Sequence, residues 1–331
     1  MRLIVSRGAI NEIKREISAI SPFSVAIITE KRVADLHLEK LMEKVGKAEC
    51  IVIEPGEKMK SLETANKIWK WLFEIGATRR TLILAFGGGT VIDIAGFVAS
   101  TYMRGTFLAN IPTTLLAQAD AAVGGKNGID YLGKNMIGTF YYPKFVLVDT
   151  SFLESLGSDE IKSGMAEIIK HAIIGDKKLF EMLEKGSFSI EEAIKRSLLV
   201  KLRIVKRDPR EENGLRSVLN LGHTVGHAIE LLSGYSIPHG FAVSVGMVVS
   251  CRLGEILHGF DQRRRVEDLL EKIGLPTMFK ANPDDVIRIA RRDKKALNGR
   301  IVMAIPRRMG GVVVEEVDEE VLRKALEGVI S

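Results

Sequence analysis

Three of the chain's six histidines, His223, His227 and His239, fall within 17 positions. In Asn220-Leu221-Gly222-His223-Thr224-Val225-Gly226-His227 the first two stand one helical turn apart, on one face. His239 lies between Pro238 and Gly240 at the start of the next apolar run, where its ring can meet His223 across a short connection. Histidines crowded in this way suit a divalent metal or proton transfer better than three unrelated core positions. The chain has only two cysteines, Cys50 and Cys251, both in apolar runs and read as buried free thiols, so a third metal donor must be a carboxylate. Glu167 is the candidate. Its context, Gly164-Met165-Ala166-Glu167-Ile168-Ile169-Lys170, predicts a largely buried helix, in which an unpaired carboxylate is costly and a ligated one is not. A plain pair with Lys170, three positions on, is the alternative. Spacing does not choose between His223 and His227; our reading takes Glu167, His223 and His239 as ligands, leaving His227 to transfer protons and open metal positions to substrate hydroxyls.

A second group can hold phosphate. Leu82 to Phe86 reads as a strand, Gly87-Gly88-Gly89 as a turn and Thr90 onward as a helix start, so free N–H groups meet negative charge there. Another strand leads into Pro55-Gly56-Glu57-Lys58-Met59-Lys60-Ser61, where Glu57 and Lys60 can hold ribose hydroxyls or phosphate, or simply cap and solvate. Glu30 ends the first long strand, within reach of a cofactor hydroxyl. Arg104, Lys126, Lys134, Asn135, Lys170, Arg216, Asn220, Lys294 and Lys295 form a cationic and polar set, several of them beside glycines, which together with a metal suits a ligand carrying phosphate and carboxylate.

The elements that must position these groups follow from hydrophobic period. Short β-branched runs at 25–29, 50–53, 81–86, 107–111 and 145–148 alternate with helical stretches at about 31–45, 61–75 and 90–103, and Arg2 to Val5 reads as an opening strand. Nearly continuous apolar runs predict a mostly parallel sheet covered on both faces. Beyond Asp149 the spacing becomes helical, with helices expected at 159–184, 188–207, 217–232, 240–258, 262–273 and 283–292, a hairpin over 299–317 and a last helix ending near Ile330. The division is 1–153 for an α/β domain and 154–331 for a mainly helical one.

The chain has 331 residues and a net charge of +6, ordinary for an enzyme and compatible with an anionic substrate. Its arginine runs at 263–265, 291–292 and 307–308 lack interleaved aromatics and read as solvated surface, which argues against nucleic acid. Apolar stretches such as Phe241 to Cys251 are shorter than a bilayer span, and the N-terminus lacks a secretory pattern, so we expect a cytoplasmic protein with no membrane partner.

Ordered blocks over nearly the whole chain resemble the 3-dehydroquinate synthase family, sugar-phosphate cyclases of the shikimate pathway. The blocks run from Gly87-Gly88-Gly89 and Asp93-Ile94-Ala95-Gly96-Phe97 through Tyr102-Met103-Arg104-Gly105, Pro112 to Ala117, Gly124-Gly125-Lys126 and Gly164 to Lys170. They continue with Leu219 to Glu230, His239-Gly240-Phe241-Ala242-Val243 and Asp293-Lys294-Lys295. The resemblance implies a Rossmann-like NAD-binding domain, a helical metal- and substrate-binding domain, an active site in the cleft between them, and a homodimer. It implies zinc or cobalt on Glu167, His223 and His239, in agreement with the reading from residue types. It places Glu57, Lys60, Asp93, Thr113, Thr114, Leu116 and Asp120 near the dinucleotide. Arg104, Lys126, Asn135, His227 and Lys294-Lys295 look like the phosphate-handling set, with Arg104 reaching across the dimer. Arg216 and Asn220 look like carboxylate contacts, and Lys170, Lys134 and Glu212 like groups that orient substrate and neighbours, Lys134 on the cofactor side.

The implied activity is that of a carbon–oxygen lyase acting on 3-deoxy-D-arabino-heptulosonate 7-phosphate. Transient oxidation by NAD, phosphate elimination, re-reduction, ring opening and intramolecular aldol closure would give 3-dehydroquinate. Ala121, Ala122 and Asn127 stand where many members carry serines and threonine, removing small polar groups. They keep inosose, valiolone and aminodehydroquinate synthases as alternatives, beside a metal- and NAD-dependent polyol dehydrogenase. Arg32 stands where the family often has asparagine near the adenosine ribose, while Glu30 keeps an acid there, which favours NAD over NADP.

Overall fold

The computed structural model describes residues 1–291 and 300–330, so Lys294 and Lys295, with their Asp293 block, lie outside the described residues. The chain forms two compact units, Met1–Leu156 and a second beginning at Gly157. The first contains β1 (Arg2–Ser6), α1 (Ile13–Ile20), β2 (Ser24–Glu30), α2 (Lys31–Val33), α3 (Glu39–Val45), β3 (Glu49–Ile53), α4 (Leu62–Glu74), β4 (Thr81–Gly87), α5 (Gly89–Thr101), β5 (Phe107–Pro112), β6 (Lys126–Ile129), β7 (Ile137–Phe140) and β8 (Phe145–Asp149). Six strands make one sheet in the order β1-β8-β5-β4-β2-β3, with every neighbouring pair parallel. All seven residues of β4 are buried, as a central strand between two helical layers requires. Cys50 corrects its buried reading: β3 is an edge strand, and this thiol is only half-buried while Cys251 is fully enclosed. From β2 the chain moves outward to β3, then crosses back to β4 and on to β5. Strand order therefore reverses between β2 and β4, the crevice in which open α/β sheets bind ligands at the carboxyl ends of their strands.

Local chemistry sets the element ends. The Ser61 side chain accepts from Thr64 N and starts α4, which turns Ala65, Ile68 and Leu72 inward. The hairpin β6–β7 was not evident in the sequence: its strands are four residues each, glycine-rich and largely exposed on β7. Asn127, one of the departures noted above, donates from Nδ2 to the carbonyls of Gly125 (2.8 Å) and Tyr141 (3.0 Å), so this amide is committed to the hairpin. Phe152 meets Phe86 edge-on at 5.4 Å and holds the turn Thr150–Ser155 with the first unit.

Asp149, fully buried at the end of β8, accepts from Gly8 N (2.8 Å), Ile10 N (3.0 Å), Ser151 N (3.0 Å) and Ser151 Oγ (2.7 Å). Burial pushes its pKa up, but those donors outweigh burial and hold it below the usual carboxylate range. Its contribution is therefore complete above about pH 4, the unfolded value, and is lost as pH falls through the lower native one. Asp149→Ala should cost about 3 kcal/mol at pH 7, read by urea unfolding, with a smaller deficit at pH 3; an equal deficit at both pH values would contradict this account.

The second unit contains α6 (Ser158–Gly175), α7 (Lys177–Lys185), α8 (Ile190–Arg207), α9 (His223–Leu232), α10 (His239–His258), α11 (Arg263–Ile273), α12 (Pro283–Ala290), the antiparallel pair β9 (Ile301–Arg308) and β10 (Gly311–Val317), and α13 (Glu319–Leu326). The single helix expected at 159–184 is two, because Asp176 leaves helical geometry and caps α7 by accepting from Leu179 N at 2.9 Å. The helix expected from 217 begins at His223; before it Leu215–Asn220 is a 3₁₀ turn, and Gly222 at φ 78° joins the two. The last helix stops at Leu326, and Ile330 instead bridges Phe279. α10 is longer than its apolar stretch suggested and could cross a bilayer by length and composition, but 72% of its most apolar window is buried inside the protein. Of the first arginine run only Arg264 is mainly solvated; Arg263 pairs with Glu255 and Glu267, and Arg265 with Glu184.

Candidate metal and substrate site

α6 begins where the Glu160 carboxylate reaches back to accept from Gly157 N at 2.9 Å. From Ser163 to Ile174 every residue is buried, so Glu167 and Lys170 are enclosed with no face of the helix left to water. Three glycines bring α9 and α10 together. A Cβ on Gly246 would lie 1.9 Å from Gly222 O, one on Gly226 3.2 Å from Val243 Cα, and one on Gly222 2.7 Å from Val243 O. Gly240 does the same against α6, where its N donates to Ser163 Oγ at 2.9 Å and its absent side chain leaves room for the Ser163 backbone.

This packing converges three donors. Glu167 Oε1 lies 3.8 Å from His223 Nε2 and 3.5 Å from His239 Nε2, and ligand atoms of all three residues fall within 4.8 Å of one another. The other carboxylate oxygen, Oε2, is ion-paired with Lys170, so the simple pair foreseen as the alternative exists alongside the cluster. His227 sits at the edge: its ring is 5.5 Å from that of His223 and 6.4 Å from that of His239, and it is not among the three convergent donors.

Charge within the cluster follows from its neighbours. Burial would raise the Glu167 pKa, but Lys170, His239 and His223 outweigh it and hold the carboxyl well below its ordinary range. Burial, and then Lys170, push His223 well down, leaving a neutral imidazole. Burial also opposes charge on His239, yet Glu167 and Glu230 push its pKa up to about 9. One carboxylate oxygen and two imidazole nitrogens are the donor chemistry of a catalytic zinc-like site, and three protein donors leave positions for exogenous ligands. An arriving dication would displace the proton of His239.

In the same unit, Arg216 is 2% exposed; its N donates to Asp208 Oδ2 (2.9 Å) and its Nη1 to Pro209 O (3.0 Å). The buried Asn220 Nδ2 has no hydrogen-bond partner among the described residues, a donor available to a ligand. Glu212 is different: its N donates to Asp208 Oδ1 at 2.9 Å, but its side chain is exposed. Lys201 and Glu230 are among the buried charged residues of this unit that went unassigned in the sequence. Lys201, on α8, carries no spacing signal, whereas Glu230 lies one turn beyond His227 and its Oε1 accepts from His239 Nδ1 at 3.1 Å.

The first unit has a polar cluster of its own around Lys60. Lys60 is 3% exposed, pairs with Asp93 Oδ2 (2.8 Å) and Glu57 Oε1 (3.3 Å), and donates to Asn135 Oδ1. Burial works against its charge, but Asp93 and Glu57 outweigh burial and raise its pKa. Thr90 Oγ1 donates to Glu57 Oε2 at 2.9 Å, and Lys134 Nζ approaches Glu57 Oε1 at 4.0 Å. Gly87, Gly88 and Gly89 join β4 to α5 without a positive φ, so close approach rather than unusual backbone explains them: a Cβ on Gly87 would strike Val91 at 2.6 Å, and one on Gly88 would come 3.1 Å from Thr114. Thr113 N donates to Gly87 O at 3.0 Å, with Thr114 and Leu116 on the segment that follows. Glu30 ends β2 on the other side of the switch point, and Asp120 lies half-buried in the π-helical turn Ala117–Ala121. Arg104 and Lys126 are exposed; Met103 and Arg104 take positive φ (49° and 64°) ahead of Gly105.

Comparison with known proteins agrees with these features. Residues 50–163 match the 3-dehydroquinate synthase N-terminal family model and residues 164–296 the C-terminal one. The chain belongs to the 3-dehydroquinate synthase family. It is 48% identical to the 3-dehydroquinate synthase of Pyrococcus furiosus over 327 residues, covering 97% of each chain, and 51% identical to that of Thermococcus kodakarensis over 308 residues, covering 93% of this chain and 89% of the relative. Among solved structures, 2-epi-5-epi-valiolone synthase from Streptomyces hygroscopicus with NAD+ and Zn2+ bound superposes with a TM-score of 0.88 at 26% identity, covering 98% of this chain and 95% of that one. A 2-deoxy-scyllo-inosose synthase complexed with carbaglucose-6-phosphate, NAD+ and Co2+ gives 0.88 at 25% identity with the same coverage. The family's two matched regions meet at residues 163 and 164, within α6, so Lys60, Asp93 and Gly87–Gly89 fall in the first and Glu167, His223 and His239 in the second, while Glu30 precedes both.

Proposed function

We propose that the protein is a 3-dehydroquinate synthase, converting 3-deoxy-D-arabino-heptulosonate 7-phosphate to 3-dehydroquinate and inorganic phosphate with NAD and one zinc or cobalt ion. The observation that carries this reading is the enclosed Glu167–His223–His239 donor set in a chain 48–51% identical to synthases of this activity. When bound, NAD supplies reversible oxidation of a substrate hydroxyl and the metal supplies Lewis acidity toward neighbouring hydroxyls.

The protein's own residues orient, neutralise and move protons. Glu167, His223 and His239 are the metal ligands. Glu30, Glu57, Lys60, Asp93, Thr113, Thr114, Leu116, Asp120 and Lys134 hold the dinucleotide, its phosphates at Gly87–Gly89, where the α5 N-terminus offers free N–H groups. Arg216 and Asn220 grip the carboxylate, the first from a guanidinium already fixed by Pro209 and the second through its unpartnered amide. Arg104, Lys126, Asn135, Lys294 and Lys295 hold the substrate phosphate, Lys170 and Glu212 orient substrate, and His227, next to the metal ligands rather than among them, transfers the proton at the ring oxygen or phosphate. With its phosphate clamped beside the adjacent carbon, the substrate is held ready for elimination. The protein acts as a cytoplasmic homodimer, with Arg104 reaching its partner's site.

The test supplies the heptulosonate phosphate, catalytic NAD and zinc or cobalt. Phosphate and dehydroquinate should appear in equal amounts with no net NADH. Release of phosphate from a heptose phosphate but not from the heptulosonate phosphate would assign the chain to another cyclase, and accumulation of NADH would make it a dehydrogenase.

A further inference from the structure

The two histidines of the donor set are anchored differently. His223 donates from Nδ1 to Leu221 O at 3.1 Å, a neutral main-chain acceptor turned toward it by Gly222 at φ 78°. His239 donates from Nδ1 to the Glu230 carboxylate, also at 3.1 Å. Each hydrogen bond fixes a tautomer that leaves Nε2 facing Glu167, but only one partner carries charge. Glu230 is 4% exposed, and its main chain is held independently: its carbonyl accepts from Tyr235 N (2.7 Å) and Ser233 Oγ (2.9 Å). The end of α9 can therefore keep its form when the side chain changes. His223, His227 and Glu230 also recur at helical spacing, so one face of α9 carries a donor, a neighbouring imidazole and the anchor of a donor on the next helix.

We propose that Glu230 is a positioning residue that locks the His239 tautomer and strengthens its Nε2 as a metal donor, making His239 the stronger of the two imidazole ligands. A carboxylate behind a ligating imidazole raises its basicity and fixes its ring, effects a backbone carbonyl gives more weakly. The inference rests on the ligand assignment above. The full-length protein, its E230A and E230Q variants and H239A would be stripped of metal and titrated with Co2+ against a competing chelator, recording the visible cobalt spectrum and the melting temperature of each metal-free form. E230A should bind Co2+ about 10- to 100-fold more weakly, with altered band positions. E230Q, which retains an acceptor for Nδ1–H but no charge, should fall between E230A and the parent. Unchanged affinity and spectrum in E230A would overturn the role of Glu230 while leaving the ligands standing. An E230A loss matched by an equal fall in metal-free melting temperature, with E230Q identical to the parent in affinity and spectrum, would also overturn it, since packing alone would then explain the effect. Tight binding retained by H239A would instead refute the ligand assignment.

Discussion

Glu167→Gln should give a folded protein that binds zinc or cobalt at least about 100-fold more weakly than the parent, a larger loss than removing an outer partner causes, and that has no measurable synthase activity. Glu167 is the one anionic donor of the set, and glutamine keeps its volume while offering only a neutral amide oxygen. Alanine is the poorer test. It would leave the Lys170 ammonium, 1% exposed, without its carboxylate, and an orphaned buried charge costs about 3–5 kcal/mol whether or not a metal was bound. Metal content of the purified variants and the melting temperature of their metal-free forms separate the two effects. His223→Ala should lose metal as Glu167→Gln does, whereas His227→Ala should keep it and lose turnover, because His227 lies outside the convergent donors. Equal metal loss from both histidine variants, or full metal in Glu167→Gln, would show that the donors were wrongly chosen.

The legible parts of this protein were those with a strong period or a rare residue type. The apolar runs of β4 and β8 are buried end to end and that of β2 from Ala26 to Thr29, so composition alone marks them as interior strands. Histidine is scarce, and two copies four apart beside glycines mark a face. The illegible parts depend on tertiary partners. Asp176 breaks α6 from α7 because its side chain caps the second helix, but apolar spacing continues through it, and Arg196 pairing with Asp176 comes from α8. Glu230 looks like any acid near a helix end until α10 brings His239 to it. Lys60 reads as a solvated capping residue, yet Asp93 and Asn135, 33 and 75 positions away by number, enclose it. The hairpin β6–β7 has too few residues and too much glycine to announce a strand period.

Gly246→Ala should destabilise the protein by about 3 kcal/mol or more, and the sign of the effect is the informative part. Gly246 lies inside α10 with ordinary helical backbone, where alanine by itself is worth about 1 kcal/mol in favour of the helix. Against that, the new Cβ would sit 1.9 Å from Gly222 O, 2.8 Å from Gly222 C and 3.0 Å from Gly226 N. These are main-chain atoms at the start of α9 and cannot rotate away as a side-chain tip would, so α9 must move by roughly an ångström or the helices must part. Either response carries His223 away from Glu167 and His239, so any folded fraction should bind cobalt more weakly although every ligand is intact. Gly46→Ala supplies the control: its φ of 82° and ψ of −133° impose backbone strain of about 1–3 kcal/mol on an L side chain, but a Cβ there meets nothing within 4 Å. It should lower stability and leave metal affinity alone. If Gly246→Ala were instead the more stable protein, the close approach of α9 and α10 would be wrong, and with it the physical reason that two histidines on different helices can share one ion with Glu167.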